Sequence, residues 1–117
     1  MKTVLVVDDS EVTRKIIRNI LTNNGYTVIG EAESGKSGIR KFKELKPDLV
    51  TMDINIGDMN AVEALSRIIG INHDAKVVMV SSAGQDSIVV DAKILGARGI
   101  ILKPFNEKQT MDTLAAI

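Results

Sequence analysis

Thr3-Val4-Leu5-Val6-Val7-Asp8-Asp9-Ser10 decides how this 117-residue chain is read: four apolar residues in a row, three of them β-branched, run straight into two acids. The run is too short for a helix and does not alternate with polar residues, so it reads as a strand buried on both faces. Such burial belongs to parallel sheets covered by helices. The pattern recurs at residues 49–52, 77–80 and 100–102, which run into Asp53, Ser81-Ser82 and Lys103-Pro104. A weaker strand is expected at residues 27–29.

Helical spacing fills the gaps. Val12, Ile16, Ile17, Ile20 and Leu21 form one face of a helix that Gly25 ends. Ile39, Phe42 and Leu45 mark a second, stopped by Pro47. Val62, Leu65, Ile68 and Ile69 mark a third, ending near Gly70. Ile88, Val89, Ala92 and Leu95 mark a fourth, ending at Gly96, and Asn106 caps a short fifth running to Ile117. Five strand–helix units with no linker or repeat predict one α/β domain over residues 1–117, a doubly wound parallel sheet.

Composition narrows the function. Apolar residues at 44% and charged residues at 26% match an ordinary soluble domain and exclude a disordered chain. Fifteen basic and fifteen acidic side chains cancel, so no field draws this domain to nucleic acid or to an anionic membrane. Without cysteine there is neither a disulfide nor a thiolate metal site. The first apolar stretch is too short for a signal peptide, and no window approaches the roughly 20 apolar residues of a membrane span. A cytoplasmic location is the expectation.

In doubly wound sheets, sites form at the carboxyl ends of the strands. With strand order 2-1-3-4-5, Asp53 is central, Asp8 and Asp9 approach from one side and Ser81 from the other. Lys103, two strand spacings or roughly 10 Å away, returns on its long side chain. Crowded carboxylates repel unless they share a cation. Oxygen donors without Cys or His select a hard ion, and Mg²⁺ fits, with Mn²⁺ tolerated. Asp53 beside Mg²⁺, a hydroxyl and an ammonium is equipped for phosphoryl transfer, which depends on in-line positioning and charge neutralisation.

Val-Val-Asp-Asp-Ser, Thr-Met-Asp-Ile, Val-Ser-Ser-Ala-Gly-Gln and Lys-Pro-Phe resemble, in order and spacing, response-regulator receiver domains. The resemblance covers essentially the whole chain and is nearest to the single-domain chemotaxis regulators. It implies a flavodoxin-like (βα)5 fold of three layers. It also implies Asp53 as phosphoacceptor, Asp8 and Asp9 as the acidic pair, Ser81 as switch hydroxyl and Lys103 as the conserved-type lysine. Asp8, Asp9, Asp53 and the main-chain carbonyl of Asn55 would hold the metal, and Lys103-Pro104 would be cis. The implied donor is a phosphohistidine on a sensor histidine kinase, with small acyl phosphates as substitutes. The implied receiver of the signal is an output protein docking on the fourth helix, fifth strand and fifth helix. Such a domain is no enzyme beyond its own phosphorylation and dephosphorylation.

Some positions depart from the pattern. Ile56-Gly57-Asp58-Met59-Asn60-Ala61 replaces a turn that usually carries proline, which questions the loop's stiffness. Ile100 stands where the family commonly has an aromatic residue, which excludes output through a swinging ring. Ala83, two residues after Ser81, is small enough to admit water to a phosphoryl group, which predicts a short phosphoryl lifetime.

Blander readings stand beside this one. Asp8 and Asp9 alone would be helix-start charges capped by Ser10, and Lys103 alone a solvated lysine. His73 is a loop residue, and Met52, Met59 and Met79 are packing residues. The rival function is nucleotide binding, because Gly30-Glu31-Ala32-Glu33-Ser34-Gly35-Lys36-Ser37 matches the P-loop pattern. Against it, Glu31 and Glu33 would put negative charge where phosphates are wrapped. A third reading is a pseudo-receiver that docks partners without phosphorylation, motivated by Gly57, Ala61 and Ile100.

Overall fold

Ten elements alternate along the chain in this computed structural model, which describes residues 2–82 and 84–117. They are β1 (Thr3–Val7), α1 (Glu11–Asn23), β2 (Thr27–Ala32), α2 (Gly35–Leu45), β3 (Leu49–Asp53), α3 (Ala61–Ile71), β4 (Lys76–Ser81), α4 (Asp86–Leu95), β5 (Gly99–Leu102) and α5 (Glu107–Ala115). All strand pairs are parallel, in the order β2-β1-β3-β4-β5. The doubly wound, flavodoxin-like fold expected from the sequence is the one observed.

Two apolar clusters make the three layers. Leu5, Val7, Val50, Met52, Val77 and Met79 project to one side of the sheet, against Phe42 of α2, Leu65 and Ile68 of α3 and Ala92 of α4. Val4, Val6, Leu49, Val78, Val80 and Ile101 project to the other, against Ile17 and Leu21 of α1 and Leu114 of α5. Two apolar faces on one sheet explain why β1, β3 and β4 carry consecutive apolar residues rather than alternating ones.

Four of the five helices begin on a residue chosen for capping. Ser10, Ser34, Asn60 and Asn106 each accept a hydrogen bond from a backbone N–H in the first turn of α1, α2, α3 and α5. Gln85, before α4, makes no such bond. Gly96 ends α4 with φ +117°, in the region that favours glycine.

Several expectations need correction. Of the five apolar residues assigned to the inner face of α1, only Ile17 and Leu21 are buried, while Val12 is 69% and Ile16 44% exposed. A helix on a sheet turns one narrow stripe inward, and Ile17 and Leu21 occupy it. α3 does end near Gly70, running one residue past it to Ile71 with Asn72 as its cap. A helical glycine costs about 1 kcal/mol against alanine, which tertiary packing overrides. β2 extends to Ala32 because Leu5, Val6 and Val7 pair with Gly30, Glu31 and Ala32. β5 is an edge strand rather than a two-sided core strand, and its Leu102 is 45% exposed.

Candidate functional site

The carboxyl edge of the sheet is held by pairing that continues one residue past β1, β3 and β5. The Asp8 N–H donates to the Ala32 carbonyl at 3.0 Å, Ile54 to Val80 at 2.9 Å and Lys103 to Ser81 at 2.8 Å. The Lys103–Pro104 peptide bond is cis. In the strand alternation Asp8, Asp53 and Lys103 fall on the side of Val6, Thr51 and Ile101, above α1 and α5. Ser81 falls on the side of Met79, toward α4.

The first three converge. The Lys103 ammonium is ion-paired with the Asp53 carboxylate and lies 3.9 Å from Asp8 Oδ2. Asp53 is 2% exposed and Asp8 3%. Asp53 Oδ1 accepts the Asn55 N–H at 2.7 Å, and Asp8 Oδ1 accepts the Ser10 N–H at 2.9 Å. Even so, burial pushes the Asp8 carboxyl up to about 7, and the Asp53 carboxylate beside it acts in the same direction, against the Ser10 N–H and Lys103. Two buried carboxylates with one ammonium are short of positive charge.

The remaining predicted residues are placed differently. Asp9 is exposed, and its Oδ2 lies 3.9 Å from where a Cβ on Gly57 would sit. Among the described residues no three acidic or histidine side chains stand together as a ready-made metal cage. The buried donor set is the two carboxylates of Asp8 and Asp53, which fits a hard divalent ion that keeps part of its water shell. Ser81, 2% exposed, sends its hydroxyl toward the Gln85 side chain at 3.2 Å or the Ser82 carbonyl at 3.1 Å. The Asn55 side chain accepts from Gln85 at 3.2 Å.

The loop after β3 is not slack. Gly57 takes φ +86°, and the Asp58 carboxylate accepts the N–H groups of Gly35 at 2.7 Å and Lys36 at 3.1 Å, at the start of α2. Partial desolvation raises the Asp58 carboxyl, but these N–H groups outweigh it and hold it below its ordinary value. Ile56 is buried, and a Cβ on Gly35 would sit 2.6 Å from Met59 Cγ, so glycine lets the loop close on α2. Sequence reading missed Asp58 and Gln85, since Asp58 bonds the start of α2 and Gln85 reaches Asn55, both distant in the chain. Ala83 lies outside the described residues.

The P-loop expectation does not hold. Gly30, Glu31 and Ala32 are strand residues paired with β1, Glu31 is ion-paired with Arg14 and Arg18, and the first N–H groups of α2 are taken by Asp58. No loop remains to cradle a phosphate.

A family model, the response regulator receiver domain, matches residues 4–115. The chain belongs to this family. It is thus a receiver domain of two-component signal transduction. It is 42% identical over 113 residues to the chemotaxis protein CheY of Thermotoga maritima, covering 97% of this chain and 94% of that one. The match to Bacillus subtilis CheY is 41% over 111 residues, covering 95% and 92%. Among solved structures, the CheX–CheY–BeF3–Mg complex from Borrelia burgdorferi superposes on this receiver with a TM-score of 0.93 at 32% identity, over 98% of this chain and 87% of that one. No helix of the described receiver is long and apolar enough to cross a membrane.

Proposed function

We propose that this receiver, residues 1–117 acting as one domain, accepts a phosphoryl group on Asp53 in a Mg²⁺-dependent reaction and hands the resulting change to an output protein. The observation that carries it is the buried Asp53 carboxylate engaged by Lys103 beside Asp8, whose raised pKa marks a deficit of positive charge. Mg²⁺, with Mn²⁺ as substitute, supplies that charge when held by Asp8, Asp9, Asp53 and the Asn55 carbonyl, and neutralises phosphoryl oxygens. The Borrelia burgdorferi CheY complex with BeF3 and Mg supports this assignment.

The Asp53 oxygen attacks phosphorus as the bond to the donor breaks, leaving an acyl phosphate on Asp53 and the electron pair on the donor. Lys103 moves from the carboxylate to a phosphoryl oxygen, and the Ser81 hydroxyl bonds another. The donor is the phosphohistidine of a sensor histidine kinase, since the only histidine here, His73, is an exposed loop residue. The chain acts on itself alone and turns over no other substrate. Kinship with chemotaxis CheY proteins supports a cytoplasmic role in chemotaxis. The output protein docks on α4, β5 and α5, where Val90, Ile94 and Leu102 are 55%, 77% and 45% exposed.

The test is incubation with Mg²⁺ and a small acyl phosphate, read by intact mass. A gain of one phosphoryl group, absent without metal and absent in Asp53→Ala, is expected. No gain in the wild-type protein would leave a pseudo-receiver.

A further inference from the structure

Gln85 occupies the capping position of α4 but spends its side chain elsewhere. Its Oε1 accepts the Ser82 N–H at 2.7 Å and faces the Ser81 hydroxyl at 3.2 Å, while Nε2 donates to Asn55 Oδ1 at 3.2 Å. The amide cannot be turned over, because Nε2 in place of Oε1 would set a donor against the Ser82 N–H. One carboxamide thus ties the segment after β3 to the segment after β4. The Gln85 carbonyl also accepts the Val89 N–H at 3.1 Å, so this side chain is continuous with the first turn of α4.

We infer that Gln85 is a positioning residue that holds the Ser81 hydroxyl toward α4 in the resting protein and competes with a phosphoryl group on Asp53 for its proton. A hydroxyl has one proton to donate. While Gln85 or the Ser82 carbonyl receives it, no phosphoryl oxygen does, and Ser81 starts on the sheet face opposite to Asp53. Capture of the phosphoryl group therefore exchanges one acceptor for another. The carboxamide keeps its bonds to the Ser82 N–H and to Asn55 but loses the Ser81 hydroxyl, so the same step sets the affinity for the group and changes what holds the start of α4. This inference rests on the proposed phosphorylation of Asp53.

The probe is beryllofluoride with Mg²⁺, titrated by calorimetry into wild type, Gln85→Ala, Ser81→Ala and the double variant. Losing one resting acceptor, a neutral hydrogen bond of ordinary net worth, predicts binding at least about threefold tighter in Gln85→Ala. If Gln85 acts through Ser81, the tightening disappears in the Ser81→Ala background. In the free protein, without metal or probe, the Ser82 amide signal shifts and exchanges faster in Gln85→Ala. Unchanged or weaker binding by Gln85→Ala, or equal tightening with and without Ser81, overturns the inference and leaves the phosphorylation reading intact. Absence of probe binding by the wild type overturns both.

Discussion

Lys103 leaves the edge strand β5 and places its ammonium on the carboxylate of Asp53, two strands away across β4, with Asp8 at 3.9 Å as a second anion. This pairing sets the resting charge of the site: one cation shared by two carboxyl groups that are almost fully buried.

Removing that cation should cost stability. Lys103→Ala is expected to destabilise the metal-free protein by about 2 kcal/mol, below the figure for a fully buried pair because the Lys103 side chain is 27% exposed. Mg²⁺ should restore part of the loss by supplying charge to the same carboxylates. Denaturant unfolding with and without Mg²⁺ measures both, and an undiminished stability without metal would contradict the ion pair's role.

Asp8 makes the metal-free protein sensitive to pH. Its carboxyl titrates near 7 in the fold against 3.8 as a free group, so between those values the folded state binds more protons than the unfolded. Its contribution is complete below the unfolded value and is lost as pH rises through about 7. One group contributes a slope of at most roughly 1.4 kcal/mol per pH unit. Asp8→Asn should flatten this part of the stability profile. In the wild type Mg²⁺ should bind more tightly at pH 8 than at pH 6, because metal displaces the proton; calorimetry at the two pH values decides.

Asp58 does the work of the missing turn proline by holding the loop after β3 to the start of α2. Asp58→Ala should cost about 1 kcal/mol, the worth of a helix cap, and speed amide exchange at Gly35 and Lys36. Because its carboxyl is held below the ordinary value, this contribution is present above pH 3.8 and fades as pH falls through the folded value. Unaltered exchange at both amides would rule out the tether.

Ile94 separates docking from folding. It is 77% exposed on α4, so Ile94→Asp should leave stability within about 0.5 kcal/mol while weakening capture of the output protein by the phosphorylated form. Loss of stability instead would mean that the residue packs in the core.

Much of this molecule was legible in its residues. Apolar runs ending in Asp8, Asp53, Ser81 and Lys103 announced both a two-sided parallel sheet and a site at its carboxyl edge, because in this architecture the side chain after each strand has nowhere else to go. Ser10, Asn106 and Gly96 marked helix ends through their own local hydrogen bonding and backbone preferences. Contacts distant in the chain were decided by the tertiary structure. Asp58 meets Gly35 and Gln85 meets Asn55 across separate loops, and only packing shows that Val12 and Ile16 face outward or that Gly30-Glu31-Ala32 is strand rather than phosphate loop. Periodicity reports which side chains can share a face; which partner that face meets depends on where the other elements come to rest.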